Sequence, residues 1–147
     1  KALTVFEKSK AFSTNYIIRK RYRGGVQTPE NRKKTTLEYY NNQRYSDLIL
    51  CVRGVGNFSL RFYESLAMGR IPVFIDTDCP LPAIQGKDWN AHIITVDSKK
   101  LKEAPDLALK WLQNKDLDKQ KRLNRQLWLA HFRLDNFWLN ELSLLKK

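Results

Sequence analysis

The sequence predicts an α/β fold, a parallel sheet flanked by helices, with further helices closing the chain. Three observations carry that expectation. Residues 48–52 and 71–75 are short apolar runs, rich in branched side chains and of the length of buried strands. A glycine-containing turn and one amphipathic helical stretch separate them, and a strand–helix–strand unit of that size closes right-handed and parallel. Beyond residue 101 apolar side chains recur at three- and four-residue steps, the period of helices packed on a core.

Residues 1–10 (KALTVFEKSK) place Leu3, Val5 and Phe6 on one side, as at the tail of an amphipathic helix. Tyr16-Ile17-Ile18 is a short strand candidate, and the basic run Arg19-Lys20-Arg21-Tyr22-Arg23 follows it. That run reads first as a solvated edge, with a phosphate- or acceptor-facing patch as the alternative. Gly24 and Gly25 end the element. Thr28 as N-cap and Pro29 at the first helical position open a helix to about residue 44, with Leu37, Tyr39 and Tyr40 expected to pack inward. Arg32, Lys33 and Lys34 fall near its start, against the preference of the dipole, a weak sign of a bound anion or an acidic neighbour.

The central unit runs from Leu48 to Asp78. After the first strand, Gly54 and Gly56 are expected to supply positive φ, with Asn57 tolerant of the same region. Ser59 is the expected N-cap of a helix over residues 60–68, and Gly69 its stop. The second strand, 71–75, carries Pro72 near its start, where a missing N–H costs little. Ligands of parallel sheets lie beyond the carboxyl ends of the strands, so the 53–59 and 76–82 loops should share one functional edge.

The chemistry of that edge is anion binding. A glycine-rich turn feeding a helix aims free N–H groups at one point, and the dipole adds partial positive charge. Arg53 offers a planar fork to a phosphate. Arg61, Glu64, Ser65 and Met68 share one face of the helix, and a carboxylate one to two turns in can accept hydrogen bonds from ribose hydroxyls. Spacing alone leaves a second reading equally open: Arg61 and Glu64 as a surface pair, and the glycines as chain turners.

Asp76-Thr77-Asp78 at the end of the second strand has the DxD form that holds a divalent ion against a diphosphate in metal-dependent glycosyltransferases. The other reading is a loop carrying two turn-favouring carboxylates, stiffened afterwards by Pro80 and Pro82. Trp89 is expected to anchor its loop in the core, ahead of a strand over residues 92–96. His92 is a candidate base, but a lone histidine beside a strand is more often structural. Helices are expected over 101–114 and 118–145, the latter presenting Leu123, Leu127, His131, Leu134, Trp138, Leu142 and Leu145 as one stripe, with a possible break at Asp135-Asn136.

At 147 residues the chain is one domain by length. Its 27 Lys and Arg against 15 Asp and Glu give a charge of +12, which favours an anionic partner without choosing among sugar nucleotides, acidic glycans, nucleic acid and membrane surfaces. Two cysteines, Cys51 and Cys79, make no disulfide framework and no zinc spacing, and free thiols suit a reducing compartment. No apolar run approaches the ~20 residues that span a bilayer. The start at a charged Lys1, without an initiating Met or a secretory signal, leads to the expectation of a piece of a longer protein.

The order Arg53-Gly54-x-Gly56-x-x-Ser59-x-Arg61-x-x-Glu64, then Gly69-x-Ile71-Pro72-Val73, Leu81-Pro82 and Trp89, resembles the exostosin-type (GT47-like) glycosyltransferase family. The resemblance covers residues 45–96 well and the flanks weakly. It implies a Rossmann-like fold, the C-terminal donor-binding half of a two-domain GT-B architecture, and an inverting glycosyltransferase. It implies that Arg53, Gly54, Gly56, Asn57 and Ser59 meet the diphosphate of a nucleotide sugar, that Glu64 meets the ribose, and that Arg61 supports the same site. Asp76 and Asp78 would then lie near the donor sugar, with no metal or other cofactor. The catalytic residues stay unidentified and are expected in a missing N-terminal domain, which with a glycan acceptor completes the partners. Nucleic acid is not expected as a partner. The expected location is cytoplasmic or on the cytoplasmic side of a membrane, with a Golgi-type lumen left open. A basic nucleic-acid-binding domain and a non-catalytic nucleotide-sugar-binding module are the alternatives.

Overall fold

A computed structural model describes residues 1–21, 25, 28–84 and 86–144. The helices α1 (Ala2–Lys8) and α2 (Pro29–Arg44) precede strand β1 (Leu48–Cys51), then follow α3 (Leu60–Ala67), β2 (Ile71–Asp76) and β3 (Ile94–Asp97), and α4 (Ala104–Leu112), α5 (Leu117–His131) and α6 (Leu134–Leu144) close the chain. Single-turn or irregular 3₁₀ helices at Trp89–Ala91 and Ser98–Glu103 flank β3. The sheet is parallel throughout, in the order β1-β2-β3, with Leu50 opposite Val73 and Ile75 opposite Val96. This is the expected α/β, Rossmann-like arrangement.

The central strand explains why both faces must be covered. Residues Ile71 to Ile75 of β2 are all buried, so successive side chains enter opposite layers. Ile71, Val73 and Ile75 meet Phe6, Val96, Ala104 and Ala108 on the α1 and α4 side. Phe74 joins Ile49, Cys51, Phe62, Leu66 and Leu127 on the α3 and α5 side. Gly69 makes the turn between α3 and β2 at φ +64°, and a Cβ there would stand 2.8 Å from the Lys121 carbonyl of α5. Only glycine meets both demands. Trp89 is the expected anchor: its ring packs on Phe62 and stacks with Phe132, and its Nε1 donates to the Pro82 carbonyl at 2.9 Å.

Four expectations are corrected. Tyr16-Ile17-Ile18 is not a strand; it runs beside α2 with Ile17 and Ile18 exposed and no sheet partner. In α2, Tyr39 is half-buried, but Leu37 and Tyr40 face solvent. The helix expected over 101–114 begins as the Ser98–Glu103 turn and becomes α-helical only at Ala104, ahead of Pro105. The long C-terminal helix is two helices, parted at Phe132 and Arg133 rather than at Asp135-Asn136, where Arg133 turns back in a two-pronged bond to Asp135. Its stripe divides accordingly. In α5 the buried residues are Gln120, Asn124 and Leu127, while Leu123 is partly exposed, and Leu134, Trp138 and Leu142 of α6 face solvent. Tyr22 and Arg23 of the basic run, Gly24 after it, and Leu145 of the stripe lie outside the described residues.

Candidate functional site

Because the three strands are parallel, the loops that leave β1, β2 and β3 open on one edge of the sheet. The 53–59 loop and the start of α3 lie there beside the loop after β2. Asn57 joins the two: its Nδ2 donates to the Asp78 carbonyl at 3.3 Å, and its Oδ1 accepts from the Thr77 hydroxyl at 2.7 Å. Arg53, Gly54, Gly56 and Asn57 are exposed on this edge, and Ser59 is buried at the helix start.

The glycines act differently from expectation. Neither Gly54 nor Gly56 has positive φ. A Cβ on Gly56 would instead come within 3.2 Å of the Phe58 ring, and the Gly54 N–H closes the loop by donating to the Phe58 carbonyl at 3.0 Å. The Gly54 amide is thereby used inside the loop. Ser59 occupies the N-cap position with extended backbone, but its hydroxyl makes no capping bond. The first amides of α3 therefore have no side-chain cap, which leaves them open to an anion.

The DxD carboxylates divide their roles. Asp76 Oδ1 accepts from the Asp78 and Cys79 amides, fixing its own turn. Asp78, with φ 60°, is exposed. Among the described residues no three acidic, histidine or cysteine side chains converge as a metal-binding group.

A second cluster lies along α3. The Tyr39 hydroxyl of α2 donates to Glu64 Oε2 in a short bond, Arg61 Nε lies 3.5 Å from the same hydroxyl, and the Arg61 guanidinium sits over the Tyr39 ring at 5.4 Å. Burial, and then the bond to Glu64, push the Tyr39 phenol up to about 12. Arg61 and Glu64 are thus joined through a third residue rather than as a simple surface pair. Sequence reasoning expected Tyr39 inward but did not foresee this role. The available signal was a phenol on the helix that precedes the unit, with no apolar companion at three or four residues along.

His92 is held in a structural network. Its Nδ1 lies 3.0 Å from Asn124 Oδ1, while Asn124 Nδ2 donates to the His92 and Arg70 carbonyls and Gln120 to the Ala91 carbonyl. Cys51 is wholly buried, its thiol pushed up to about 12 by burial, and Cys79 is unpaired and half-buried. His131, packed beside Phe132, has its imidazole pushed down by burial and by the cation of Lys87.

A cavity of about 460 Å³ opens along β1 and is lined by Arg61 among others, and a shallower one lies at the foot of α3. Neither is lined by Arg53, the 54–59 loop, Glu64, Asp76 or Asp78. Arg53, Gly54, Gly56, Asn57 and Asp78 are exposed, whereas Glu64 and Asp76 are partly covered and Ser59 is buried. In comparison with known proteins, the RXYLT1 C-terminal domain family matches residues 1–136. No curated protein and no solved structure matches the chain.

Proposed function

The chain belongs to the RXYLT1 C-terminal domain family, an exostosin-related glycosyltransferase domain, and from that premise we propose that it is the half of an inverting glycosyltransferase that holds the nucleotide-sugar donor. In the proposed reaction an acceptor hydroxyl attacks the anomeric carbon. The new C–O bond forms as the bond to the diphosphate breaks, and the electron pair leaves with the diphosphate. The hydroxyl proton passes to a base that this reading assigns to no residue of the chain.

The residues would act electrostatically. Arg53, the exposed loop amides and the uncapped start of α3 would meet negative charge as it grows on the leaving group. Glu64 would accept from the ribose hydroxyls through lone pairs that Tyr39 leaves available, with Arg61 steadying the pair. Asp78, the more exposed carboxylate, would face the donor sugar beside Asp76. No metal or cofactor enters this reading. A GT47-like GT-B enzyme would supply the glycan acceptor from a second domain. Exostosin-related domains are typically Golgi-associated, and the lumenal location is the one proposed. Among the described residues no helix is long and apolar enough to cross a membrane.

The observation that most supports this reading is the tie through Asn57, which sets the glycine loop, the start of α3 and the DxD turn on one edge. Calorimetric titration with UDP, GDP and their sugars tests it. Glu64→Ala should weaken the preferred nucleotide about tenfold or more, the loss of charge-assisted bonds to a ribose. Unchanged affinity in that variant would sink the ribose assignment. Equal competition by single-stranded RNA, falling steeply with salt, would favour the electrostatic, nucleic-acid reading instead.

A further inference from the structure

The first β1 edge is paired with β2; the other is bare. No described backbone group bonds to that second edge, although β1 lies in a sheet covered on both faces. The 460 Å³ cavity runs along it, lined on one side by Leu48, Ile49 and Leu50 and on the other by the 13–16 segment. The Gln43 side chain lines the same cavity, and its amide nitrogen and oxygen are both buried without a partner. Buried amides in folded proteins are almost always bonded, so this one marks a place that something polar occupies.

The neighbouring segment already has the right direction. The Asn15 carbonyl accepts from Asn42, near the end of α2, and Arg19 reaches Thr35 and Glu38, further up the same helix. Seven helical residues rise about 10 Å, and four extended residues span about 13 Å. Residues 15–19 therefore run extended and antiparallel to α2; because α2 turns directly into β1 through residues 45–47, the segment runs in the same direction as β1. A right-handed crossover from such a strand through α2 into β1 requires α2 on the same face as α3. The Tyr39–Glu64 bond holds it there. Tyr16-Ile17-Ile18 also has the continuous apolar character of a strand covered on two faces, yet Ile17 is 45% and Ile18 79% exposed.

We propose that residues 16–18 seat on the free edge of β1 as a fourth parallel strand when an anion binds, carrying Lys20 and Arg21 to the edge that bears Arg53. Seated there, the strand fills the cavity, brings backbone N–H and C=O groups to the Gln43 amide, and buries both isoleucines. Its end emerges at the carboxyl edge, so the two exposed cations after Arg19 become ligands for the same diphosphate. The anion trigger and the placement of the cations rest on the donor reading given above; the free edge and the unpartnered Gln43 amide that the strand would fill do not.

Hydrogen exchange of the free protein, and of the protein saturated with UDP or with inorganic pyrophosphate, tests this directly. The amides among 16–18 that face β1, and the outward amides of β1, should slow about tenfold or more on saturation, as ladder bonds protect them, while the alternate amides of 16–18 stay exchangeable. Ile17→Pro and Ile18→Pro, made separately, give the second readout. Successive residues of a parallel strand point opposite ways, so one proline removes a bond to β1 and the other does not. One variant should weaken pyrophosphate about tenfold, the other little, and Lys20→Ala/Arg21→Ala should weaken it about three- to tenfold. If both prolines and the double alanine bind like wild type, or the 16–18 amides exchange freely at saturation, the strand is refuted while the donor site can stand. If pyrophosphate protects 16–18 but UDP binds no better than pyrophosphate, the strand stands and the ribose assignment falls. No protection by either ligand overturns this proposal.

Discussion

Replacing Tyr39 with Phe isolates the contact that joins α2 to α3. The folded phenol is raised from 10 to about 12, so the protonated form, which donates to Glu64, is the form the fold prefers. Its contribution is complete below pH 10 and is lost as pH rises from 10 toward 12. Two units would correspond to about 2.7 kcal/mol if fully realised. Tyr39 is only half-buried, and solvent screening cuts that to about 1 kcal/mol, in line with a single net hydrogen bond. Tyr39→Phe should therefore lower stability by about 1 kcal/mol at pH 8, a fall in Tm of about 3–5 °C for a domain of this size. The gap from wild type should narrow as pH approaches 12. Urea melts of both proteins at pH 8, 10 and 11.5 measure it, and the difference between them cancels the titration of Tyr16 and Tyr63. A gap that is absent at pH 8, or constant across the range, would refute the linkage of phenol and carboxylate.

Other changes follow from the same geometry. Gly69→Ala forces a Cβ against the Lys121 carbonyl at a left-handed φ, and its denaturation midpoint should show a loss of about 2 kcal/mol or more. Asn124→Ala strips partners from His92 and from the Arg70 and His92 carbonyls at once, so a loss of about 3 kcal/mol is expected by calorimetry, with no change in nucleotide affinity. A change in affinity there would mean that the network reaches the open edge.

The extent to which the molecule can be read from its sequence depends on how far apart its partners lie in the chain. The β1–α3–β2 unit is legible because each part is local. Two branched runs make strands, the positions between them alternate at the helical period, and Gly69 stops the helix. The edge that bears Arg53, Asn57, Asp76 and Asp78 follows from parallel pairing alone, since these residues lie in the loops that leave β1 and β2. The reasons for its glycines do not, since Gly56 answers to the Phe58 ring rather than to φ.

What tertiary structure alone decides are the long-range pairs. Tyr39 meets Glu64 across 25 positions and His92 meets Asn124 across 32, and no window of sequence contains both members. The isoleucines after Tyr16 show the converse: their apolar run has strand character, yet in the structure they stay exposed, outside the three-stranded sheet. Local periodicity sets which face of an element is apolar, because side-chain direction repeats with the backbone. Which partner covers that face is set only when chain-distant elements compete for the same buried volume, as they do around β1.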